Sequence, residues 1–337
     1  MLPSWEKFNA PNHRKSVNSP FLAPDAKRML TIFATPKPFK GHDGIIQRNA
    51  IGSWMRLHPD CEVILFGDEA GAAEVAEELG IRHVPDVLRS EFGTKRLDYI
   101  FARAQEMARH DRLCYANCDM ILLPSFCQAV DRVARWSPKF LMIGRRWDTP
   151  LMQTLDFEPI DWASKLREFA MRSGKQQLAC AVDFFAFSRG SYADVPPFVV
   201  GRVYWDHWMV WKARSMKVPV VDVTADVLAV HQNHNFAYHP GGLAGIKADV
   251  ESKRNRALAG GQLHLYTIDH ATHRLIEGHI TDRPGRWHVP LSYLLRIYSI
   301  QFWYWLLGAT FRVRRALGLY RGAFEQMQKR VRSLIRE

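Results

Sequence analysis

The chain has 337 residues, of which 47% are hydrophobic and 24% are charged. This composition is typical of a globular protein with a substantial core, and it excludes a disordered, a collagenous and a disulfide-scaffold chain. The formal charge of +12 is local, because residues 283–337 carry eleven basic and two acidic side chains. The rest of the chain is close to neutral, which disfavours a nucleic-acid surface spread over the fold.

The cysteine content and the hydropathy of the chain indicate its cellular compartment and whether it spans a membrane. The five cysteines are an odd number and their spacing is not typical of a metal site, which favours a reducing cytoplasm. The first twenty residues are polar, so no signal peptide is predicted. The longest uncharged apolar stretch, residues 297–311, has fifteen residues, whereas a helix needs about twenty to cross a bilayer. We expect a cytoplasmic chain without a membrane span.

After an N-terminal arm at residues 1–27, the sequence alternates between predicted strands and helices. Short apolar runs predict strands, and apolar residues at helical spacing predict helices. The predicted elements are, in order, strand 29–36, helix 45–57, strand 61–69, helix 70–79, strand 81–87, helix 95–110, strand 112–124, strand 139–148, helix 162–174, strand 182–190, helix 205–215, strand 218–224 and strand 227–236. This order predicts an α/β fold with a mostly parallel central sheet and helices on both faces.

The domain organisation follows from the same pattern. No internal repeat and no long linker is visible, so we expect one domain over residues 28–250 and a C-terminal helical extension over residues 251–337. In a sheet of this kind, ligands bind beyond the carboxyl ends of the strands. Neither a GxGxxG nor a GxxxxGK[ST] motif occurs, so a dinucleotide fingerprint and a P-loop are unsupported.

Two polar segments follow apolar runs, where such a site is expected. Asp119 lies in the sequence Asn117-Cys118-Asp119, and burying a lone carboxylate is costly. It therefore either binds a divalent cation or caps the next turn. His231 opens the segment HQNHN after the run 227–230. An imidazole there either ligates a metal or phosphate, or is a satisfied structural residue.

Two further carboxylates, Asp183 and Asp206, are flanked by aromatic residues. This setting suits a general base with a raised pKa or an acceptor of sugar hydrogen bonds. The alternative for Asp206 is a helix N-cap, because a predicted helix begins there. The alternative for Asp183 is an ion pair with an arginine beneath the sheet.

Taken together, the motifs resemble nucleotide-sugar-dependent glycosyltransferases of the GT-A fold, in a group found in bacteria and plants. The resemblance covers residues 29–245 and rests on the order of TIFATPKPF, GDEAG, TKRLDYIFARA, YANCDMILLP, DFFAFSRG, GRVYWDHWMVWKA and AVHQNHNFAYH. It implies a Rossmann-like α/β sheet and a donor bound through its diphosphate.

The resemblance also implies a metal site. In the family, a D-x-D element holds Mn²⁺ or Mg²⁺ against the donor diphosphate. Asp119 matches its last position, and His231 matches a histidine that completes the site. Asn117 stands at the first position, where the family has a carboxylate, so weaker metal affinity or metal independence stays open.

For the nucleotide, the resemblance implies contacts from the first strand, the second strand and the third helix. The loop after the first strand cradles the nucleoside, a carboxylate reads the base or ribose, and the helix contacts the base and diphosphate. The matching residues are Thr35, Pro36, Lys37, Asp68, Lys95, Arg96 and Asp98. A solvated helix start is the alternative for the two basic residues of the helix.

Transfer with inversion needs a base beside the acceptor hydroxyl, whereas transfer with retention does not. Asp206 is the first candidate for that base. Asp183 is the second, with a role as a sugar contact as its alternative. The sequence leaves the stereochemistry open.

The C-terminal segment 287–337 interleaves Trp, Tyr and Leu with Arg. This pattern predicts docking on an anionic membrane surface, because aromatic rings favour the headgroup level and arginine pairs with anionic lipid. The alternative is a helix that packs its aromatic face on the core.

The sequence therefore predicts a cytoplasmic glycosyltransferase that is peripheral on the inner membrane face. It would use a nucleotide sugar, by default a UDP-sugar, with Mn²⁺ or Mg²⁺, and a lipid-linked or polysaccharide acceptor in cell-surface glycan synthesis. A sugar-phosphate nucleotidyltransferase and a scaffold without a metal site stay open as alternatives. A nucleic-acid binder is disfavoured, because the basic aromatic segment is helical rather than part of a sheet platform.

Overall fold

A computed structural model describes residues 29–234 and 241–283. The chain divides into two compact units, Met1–Thr281 and Asp282–Glu337, and the described residues belong to the first apart from residues 282 and 283. The predicted arm at residues 1–27 and the predicted membrane-docking segment 287–337 lie outside the described residues. No helix in the described part of the chain is long and apolar enough to cross a membrane.

Strands and helices alternate through most of this unit. The strands are β1 (Leu30–Ala34), β2 (Glu62–Phe66), β3 (Arg82–Val84), β4 (Arg112–Ala116), β5 (Met120–Leu122), β6 (Leu141–Ile143), β7 (Arg146–Thr149), β8 (Lys175–Gln176), β9 (Phe184–Ser188), β10 (Val220–Asp222), β11 (Ala229–Gln232), β12 (His273–Ile276) and β13 (His279–Asp282). The helices are α1 (Gly41–Met55), α2 (Ala72–Leu79), α3 (Leu97–Met107), α4 (Ser125–Trp136), α5 (Trp162–Ser173), α6 (Trp205–Ser215), α7 (Gly242–Ala248) and α8 (Val250–Leu258).

The described strands form two sheets. The main sheet has the order β13-β12-β10-β6-β9-β4-β1-β2-β3, and the small sheet has the order β5-β11-β7-β8. In the main sheet, β1 pairs in parallel with β2 and β4, and β10 pairs in parallel with β6 and β12. Strand β9 runs antiparallel to both its neighbours, β4 and β6. The prediction of a mostly parallel central sheet is confirmed.

Two hydrophobic cores cover the faces of the main sheet. Successive side chains of a strand point to opposite faces, and β1 follows this rule. Phe33 packs in the core that contains α3 and α6, whereas Ile32 and Ala34 pack in the core that contains α1 and α4. Burying a side chain such as Phe33 stabilises the fold by about 2 kcal/mol. The prediction of helices on both faces is confirmed.

Two runs that were predicted as single strands are each broken in two. The run 112–124 forms β4 and β5, and the run 139–148 forms β6 and β7. In both cases the chain passes from the main sheet to the small sheet at the break. A turn in which the Met120 amide donates to the Asn117 carbonyl, at 3.0 Å, makes the first break. The breaks place polar residues where the two sheets meet.

The predicted domain boundary at residue 250 is also corrected. Helix α8 and strands β12 and β13 belong to residues that were expected in the extension, yet β12 pairs in parallel with β10 of the main sheet. The Thr272 amide adds a hydrogen bond to the Val220 carbonyl at 2.8 Å. The main sheet is therefore completed by residues beyond 250.

Candidate active site

A cleft of about 810 Å³ opens at the edge of the main sheet where β1 and β4 end. These two strands are parallel, so their carboxyl ends share that edge, and the antiparallel β9 adds its amino end there. The residues just beyond these ends therefore line one cavity. Its volume lies within the range of about 300–1,000 Å³ that is usual for small-molecule sites.

Asp119, His231 and His234 converge in this cleft, and we call these three residues the metal corner. Their candidate ligand atoms all lie within 4.8 Å of one another. The Asp119 Oδ2 atom is 3.1 Å from His234 Nε2 and 3.8 Å from His231 Nε2. Ligands that share one cation at bond lengths of about 2.1 Å have separations of this size.

Strand pairing brings the metal corner together. Asp119 directly precedes β5, and β5 pairs with β11 so that Met120 lies opposite His231. The Gln232 amide donates to the Asp119 carbonyl at 3.1 Å, which extends this pairing to the aspartate itself. His234 follows two residues after β11 ends.

The Asp119 carboxylate is buried, and its charge is stabilised by its neighbours. Burial by itself raises the pKa of Asp119, but the charge of His231 and the hydrogen bond and charge of His234 outweigh it and hold this pKa well below its usual range. Its second oxygen, Oδ1, is buried without a hydrogen-bond partner in the described structure. A buried unpartnered oxygen of this kind costs about 1–3 kcal/mol unless a ligand satisfies it.

The donor set of the metal corner fits a divalent cation. A carboxylate and two imidazoles suit Mn²⁺, Zn²⁺ and similar metals, whereas Mg²⁺ prefers oxygen ligands throughout. The unpartnered Oδ1 of Asp119 supplies a further acceptor at the same place. These residues therefore favour Mn²⁺ over Mg²⁺ among the two cations that the sequence suggested.

Asp183 lines the cleft, and both of its oxygens have partners. Asn117 Nδ2 donates to Oδ1 at 2.7 Å, and Arg146 donates to Oδ2 at 2.5 Å. The arginine pair that the sequence left open as an alternative is thus present. Burial, with a smaller contribution from Asp119, raises the pKa of Asp183 although Arg146 acts in the opposite direction.

The same contact explains why residue 117 is an asparagine. Its side-chain amide donates to Asp183, and its backbone amide donates to the Asp183 carbonyl at 3.0 Å. An aspartate at this position would set two carboxylates against each other in a buried site.

Asp206 also lines the cleft, in the first turn of α6. Its Oδ1 atom is buried and has no hydrogen-bond partner in the described structure. The N-cap of α6 is Tyr204, so the alternative that Asp206 caps the helix is wrong. Tyr204 has φ of +86°, a left-handed conformation that side chains rarely adopt. Asp206 therefore has one oxygen whose hydrogen-bonding capacity the described residues leave unused.

The loop after β1 lines the opposite part of the cleft with Thr35, Pro36 and Lys37. The Gln47 side chain holds this loop, because it accepts from the Lys37 amide at 2.6 Å and donates to the Lys37 carbonyl at 3.0 Å. Thr35 Oγ1 lies 3.2 Å from the Tyr115 hydroxyl. The loop is thus fixed in shape before any ligand binds.

Lys95, Glu69 and the Pro36 carbonyl form what we call the lysine corner. The Lys95 ammonium donates to the Pro36 carbonyl at 2.6 Å and lies 2.8 Å from Glu69 Oε2. Lys95 is only 5% exposed, so a solvated helix start is wrong for this residue, and burial lowers its pKa. Gly67 makes room for the pair, because a Cβ there would lie 2.3 Å from Glu69 Oε2.

Three predicted nucleotide-binding residues do not line the cleft. Asp68 is exposed and pairs with Arg89, and a local backbone hydrogen bond, with Arg89 as the second cause, holds the pKa of Asp68 below its usual range. Arg96 and Asp98 pair with each other at 2.5 Å. Their polar groups are therefore directed to protein partners.

The cleft contains polar residues that the sequence analysis did not single out as site residues. His234 stood within the HQNHN motif and could have been chosen from that motif. Glu69 and Arg202 also stood within quoted segments, GDEAG and GRVYWDHWMVWKA. Gln47, Arg146 and Asp148 lie outside every quoted segment, and strand pairing and loop packing bring them to the cleft.

Comparisons with known proteins give a likeness of fold. No protein-family model and no curated protein sequence matches the chain. Among solved structures it is similar to S. aureus TarS 1–349 (8% identity, TM-score 0.36, covering 61% of this chain and 58% of TarS). It is also similar to the mannosyltransferase PcManGT from Pyrobaculum calidifontis with GDP-Man and Mn²⁺ (14%, TM-score 0.37, 63% and 59%).

A third similar structure is glucosyl-3-phosphoglycerate synthase from Mycobacterium tuberculosis with Mn²⁺, UDP and glucosyl-3-phosphoglycerate. Its identity is 12% and its TM-score is 0.43, and the match covers 70% of this chain and 81% of that one. The chain spans less than two thirds of the matched TarS and PcManGT structures.

Proposed function

We propose that this protein transfers a glycosyl group from a nucleoside-diphosphate sugar to an acceptor hydroxyl, with a divalent cation in the metal corner. The observation that carries the proposal is the convergence of Asp119, His231 and His234 in a cleft, with a buried carboxylate oxygen that has no partner in the described structure. A bound cation would neutralise the charge that develops on the leaving diphosphate.

Asp119, His231 and His234 would hold the cation and leave further positions on it for a diphosphate. A cation such as Mn²⁺ takes about six ligands, so about three positions stay for phosphate and water oxygens. Lys37 and Arg146 line the same cleft and add positive charge near that position. The preformed loop of Thr35, Pro36 and Lys37 supports a nucleoside site beside the diphosphate.

Asp206 is the residue best suited to accept the proton of the acceptor hydroxyl. Its Oδ1 has no partner in the described structure, whereas both oxygens of Asp183 are engaged. We therefore assign Asp206 as general base of a transfer with inversion, and Asp183 as the residue that holds Asn117 and Arg146. Proton abstraction by a positioned carboxylate contributes about 10²–10⁴-fold to a rate.

Thermal unfolding with UDP, GDP, CDP or dTDP, each with and without Mn²⁺, tests the metal and donor. We expect one diphosphate, by default UDP, to raise Tm only when Mn²⁺ is present, because ligands stabilise the state that binds them. Asp119→Asn should lose this rise, whereas Asp161→Asn, at a half-exposed helix start, should retain it. A rise that ignores both Mn²⁺ and Asp119 would refute the metal site.

Transfer assays with Asp206→Asn test the base. We expect the rate to fall by about 10²–10⁴-fold while the Mn²⁺-dependent Tm rise with nucleotide is retained. Asp194→Asn, whose carboxylate pairs with Lys212 outside the cleft, serves as the matched control. An unchanged rate in Asp206→Asn would exclude this residue as base and favour transfer with retention.

The two alternatives to a transferase make different predictions in the same assays. A sugar-phosphate nucleotidyltransferase would release pyrophosphate from a nucleoside triphosphate and a sugar phosphate. A scaffold without a metal site would show no Tm rise with any nucleotide. The unpartnered oxygens of Asp119 and Asp206 favour the transferase over the scaffold.

We further propose a lipid-linked or polysaccharide acceptor and a position on the inner membrane face, for cell-surface glycan synthesis. Support comes from the sequence of residues 287–337, in which aromatic residues alternate with arginines. The full chain should sediment with vesicles that contain anionic lipid and not with neutral vesicles. Equal sedimentation with both would contradict an electrostatic contribution.

A further inference from the structure

We propose that Asp148 is a positioning residue for the metal ligand His231, and that Arg146 holds Asp148 in place. This inference rests on the proposed function, because it concerns the metal corner. Neither residue belongs to the motifs that resemble the glycosyltransferases, and neither is one of the three residues of the metal corner itself.

Strand register places Asp148 beside His231. Strands β7 and β11 are parallel neighbours, and their register pairs Asp148 directly with His231. Directly paired residues share a face of the sheet and are close enough for side-chain contact. Asp148 Oδ1 lies 3.0 Å from His231 Nδ1, a close charge contact that does not meet the geometry of a hydrogen bond.

This contact determines what the other ring nitrogen can do. An ionised carboxylate only accepts hydrogen bonds, so it selects the ring form in which Nδ1 carries the proton. Once the ring is neutral, as a metal ligand must be, His231 Nε2 holds a lone pair, and this atom is the one that lies 3.8 Å from Asp119 Oδ2. The carboxylate thus orients the imidazole so that Nε2 can bind the cation, an arrangement common around metal-bound histidines.

Arg146 fixes the carboxylate that fixes the histidine. Its Nε lies 2.8 Å from Asp148 Oδ1, and its terminal nitrogen donates to Asp183 Oδ2 at 2.5 Å. The Arg146 and Asp148 side chains are each about one-fifth exposed. One guanidinium therefore bridges two carboxylates of the cleft and restricts the side-chain freedom of both.

Asp148 does not belong to the set of atoms that could share one cation. Among the described residues, the group with mutually close ligand atoms contains Asp119, His231 and His234 but not Asp148. Asp148 therefore acts on the cation site indirectly, by orienting the His231 ring. This distinguishes it from Asp119, whose removal takes away a metal ligand.

Calorimetric titration of the full-length chain with Mn²⁺ alone tests the inference. Asp148→Asn should weaken Mn²⁺ binding by about 10–100-fold, the usual effect of losing such a partner, because an amide no longer selects the Nδ1–H form. Asp148→Glu should restore part of the affinity, since it keeps a carboxylate on the same strand. Asp161→Asn should bind Mn²⁺ as the wild type does.

A second measurement needs no metal. Long-range ¹H–¹⁵N spectra of the metal-free protein should show His231 with its proton on Nδ1, and Asp148→Asn should shift this balance towards Nε2–H. A merely structural ion pair would lower Tm in Asp148→Asn and leave both the ring form and the Mn²⁺ affinity unchanged. That result would overturn the inference even if Asp119→Asn abolishes Mn²⁺ binding, in which case the proposed metal site stands. Failure of the wild type to bind Mn²⁺ would refute both.

Discussion

The metal corner and the lysine corner bury charge in the same cleft but in different ways. In the lysine corner, Lys95 is matched by Glu69 and by the Pro36 carbonyl. In the metal corner, Asp119 is matched by two histidines on one oxygen only, and its other oxygen has no partner in the described structure. Charges that are matched within the protein support the fold, whereas the unmatched oxygen is the one that the proposed cation would satisfy.

This comparison predicts that mutations in the two corners impair different properties, namely stability in the lysine corner and Mn²⁺ affinity in the metal corner. Removal of one partner from a buried pair leaves a lone buried charge, which destabilises the folded state. Removal of a residue from the metal corner would instead remove a ligand of the proposed cation. Stability of the metal-free protein and Mn²⁺ affinity are therefore the two measurements that separate them.

The largest effect is expected for Lys95→Met. It removes the nearer of the two cations that contact Glu69, the other being Arg89 at 3.3 Å, and the free energy of unfolding should fall by about 3 kcal/mol. The Mn²⁺ affinity of the folded protein should stay unchanged, because Lys95 has no contact with the metal corner. Urea unfolding and Mn²⁺ titration check the two halves of this prediction.

The double variant Lys95→Met, Glu69→Gln is the control for that experiment. It removes both charges, so most of the lost stability should return. A double variant no more stable than Lys95→Met would show that the loss comes from packing rather than from an unpaired charge. A change in Mn²⁺ affinity would contradict the separation of the two corners.

The next effect in size is expected for His234→Ala. It removes one of three ligands, and the Mn²⁺ affinity should fall by about 100-fold or more, since partners behind the ligands alone contribute about 10–100-fold. The free energy of unfolding of the metal-free protein should also fall, by about 1–3 kcal/mol, because His234 Nε2 contacts the Asp119 carboxylate at 3.1 Å. Titration with Mn²⁺ measures the first effect, and an unchanged affinity would remove His234 from the metal corner.

The smallest effect is expected for Asn117→Asp, which introduces a carboxylate at the first position of the sequence Asn117-Cys118-Asp119. The new carboxylate faces Asp183 in place of a donor at 2.7 Å, and the free energy of unfolding should fall by about 2 kcal/mol at neutral pH. The like charge raises the pKa of the pair, so the folded state holds more protons than the unfolded state. Stability should therefore fall as the pH rises through that raised pKa.

The matched control is Asn117→Ala, which loses the hydrogen bond without adding a charge. Its destabilisation should be about 1 kcal/mol and should not depend on pH between about 4 and 8. Urea unfolding at several pH values compares the two variants. Parallel pH profiles would show that Asp183 does not repel a carboxylate at position 117.

Much of the fold could be predicted because hydrophobic periodicity is a local signal. Helix α6 begins and ends where the pattern placed it, at residues 205–215. The breaks in the runs 112–124 and 139–148 were missed because apolar residues continue on both sides of each turn. Helix α4 was missed although Phe126, Ala129, Val130 and Val133 have helical spacing and are buried.

The residues of the candidate site could be predicted from the sequence less completely than the strands and helices of the fold. Asp119 and His231 lie in motifs, so they could be singled out before the structure placed them together. Arg146 and Asp148 have no motif, and their place in the cleft depends on the register between β7 and β11. Register between strands some eighty residues apart is set by packing, which a single sequence does not display.

The late position of strand β9 in the sequence delays completion of the main sheet while the chain is synthesised. Its five buried residues join the half-sheet of β4, β1, β2 and β3 to the half that contains β6, β10 and β12. The first half has all its strands once Ala116 is synthesised, but β9 ends at Ser188. At about 5–20 residues per second, the edge of β4 stays open on the ribosome for about 4–14 s. An open edge is a template for pairing with other chains, so the nascent protein is most prone to aggregate before β9 closes this edge.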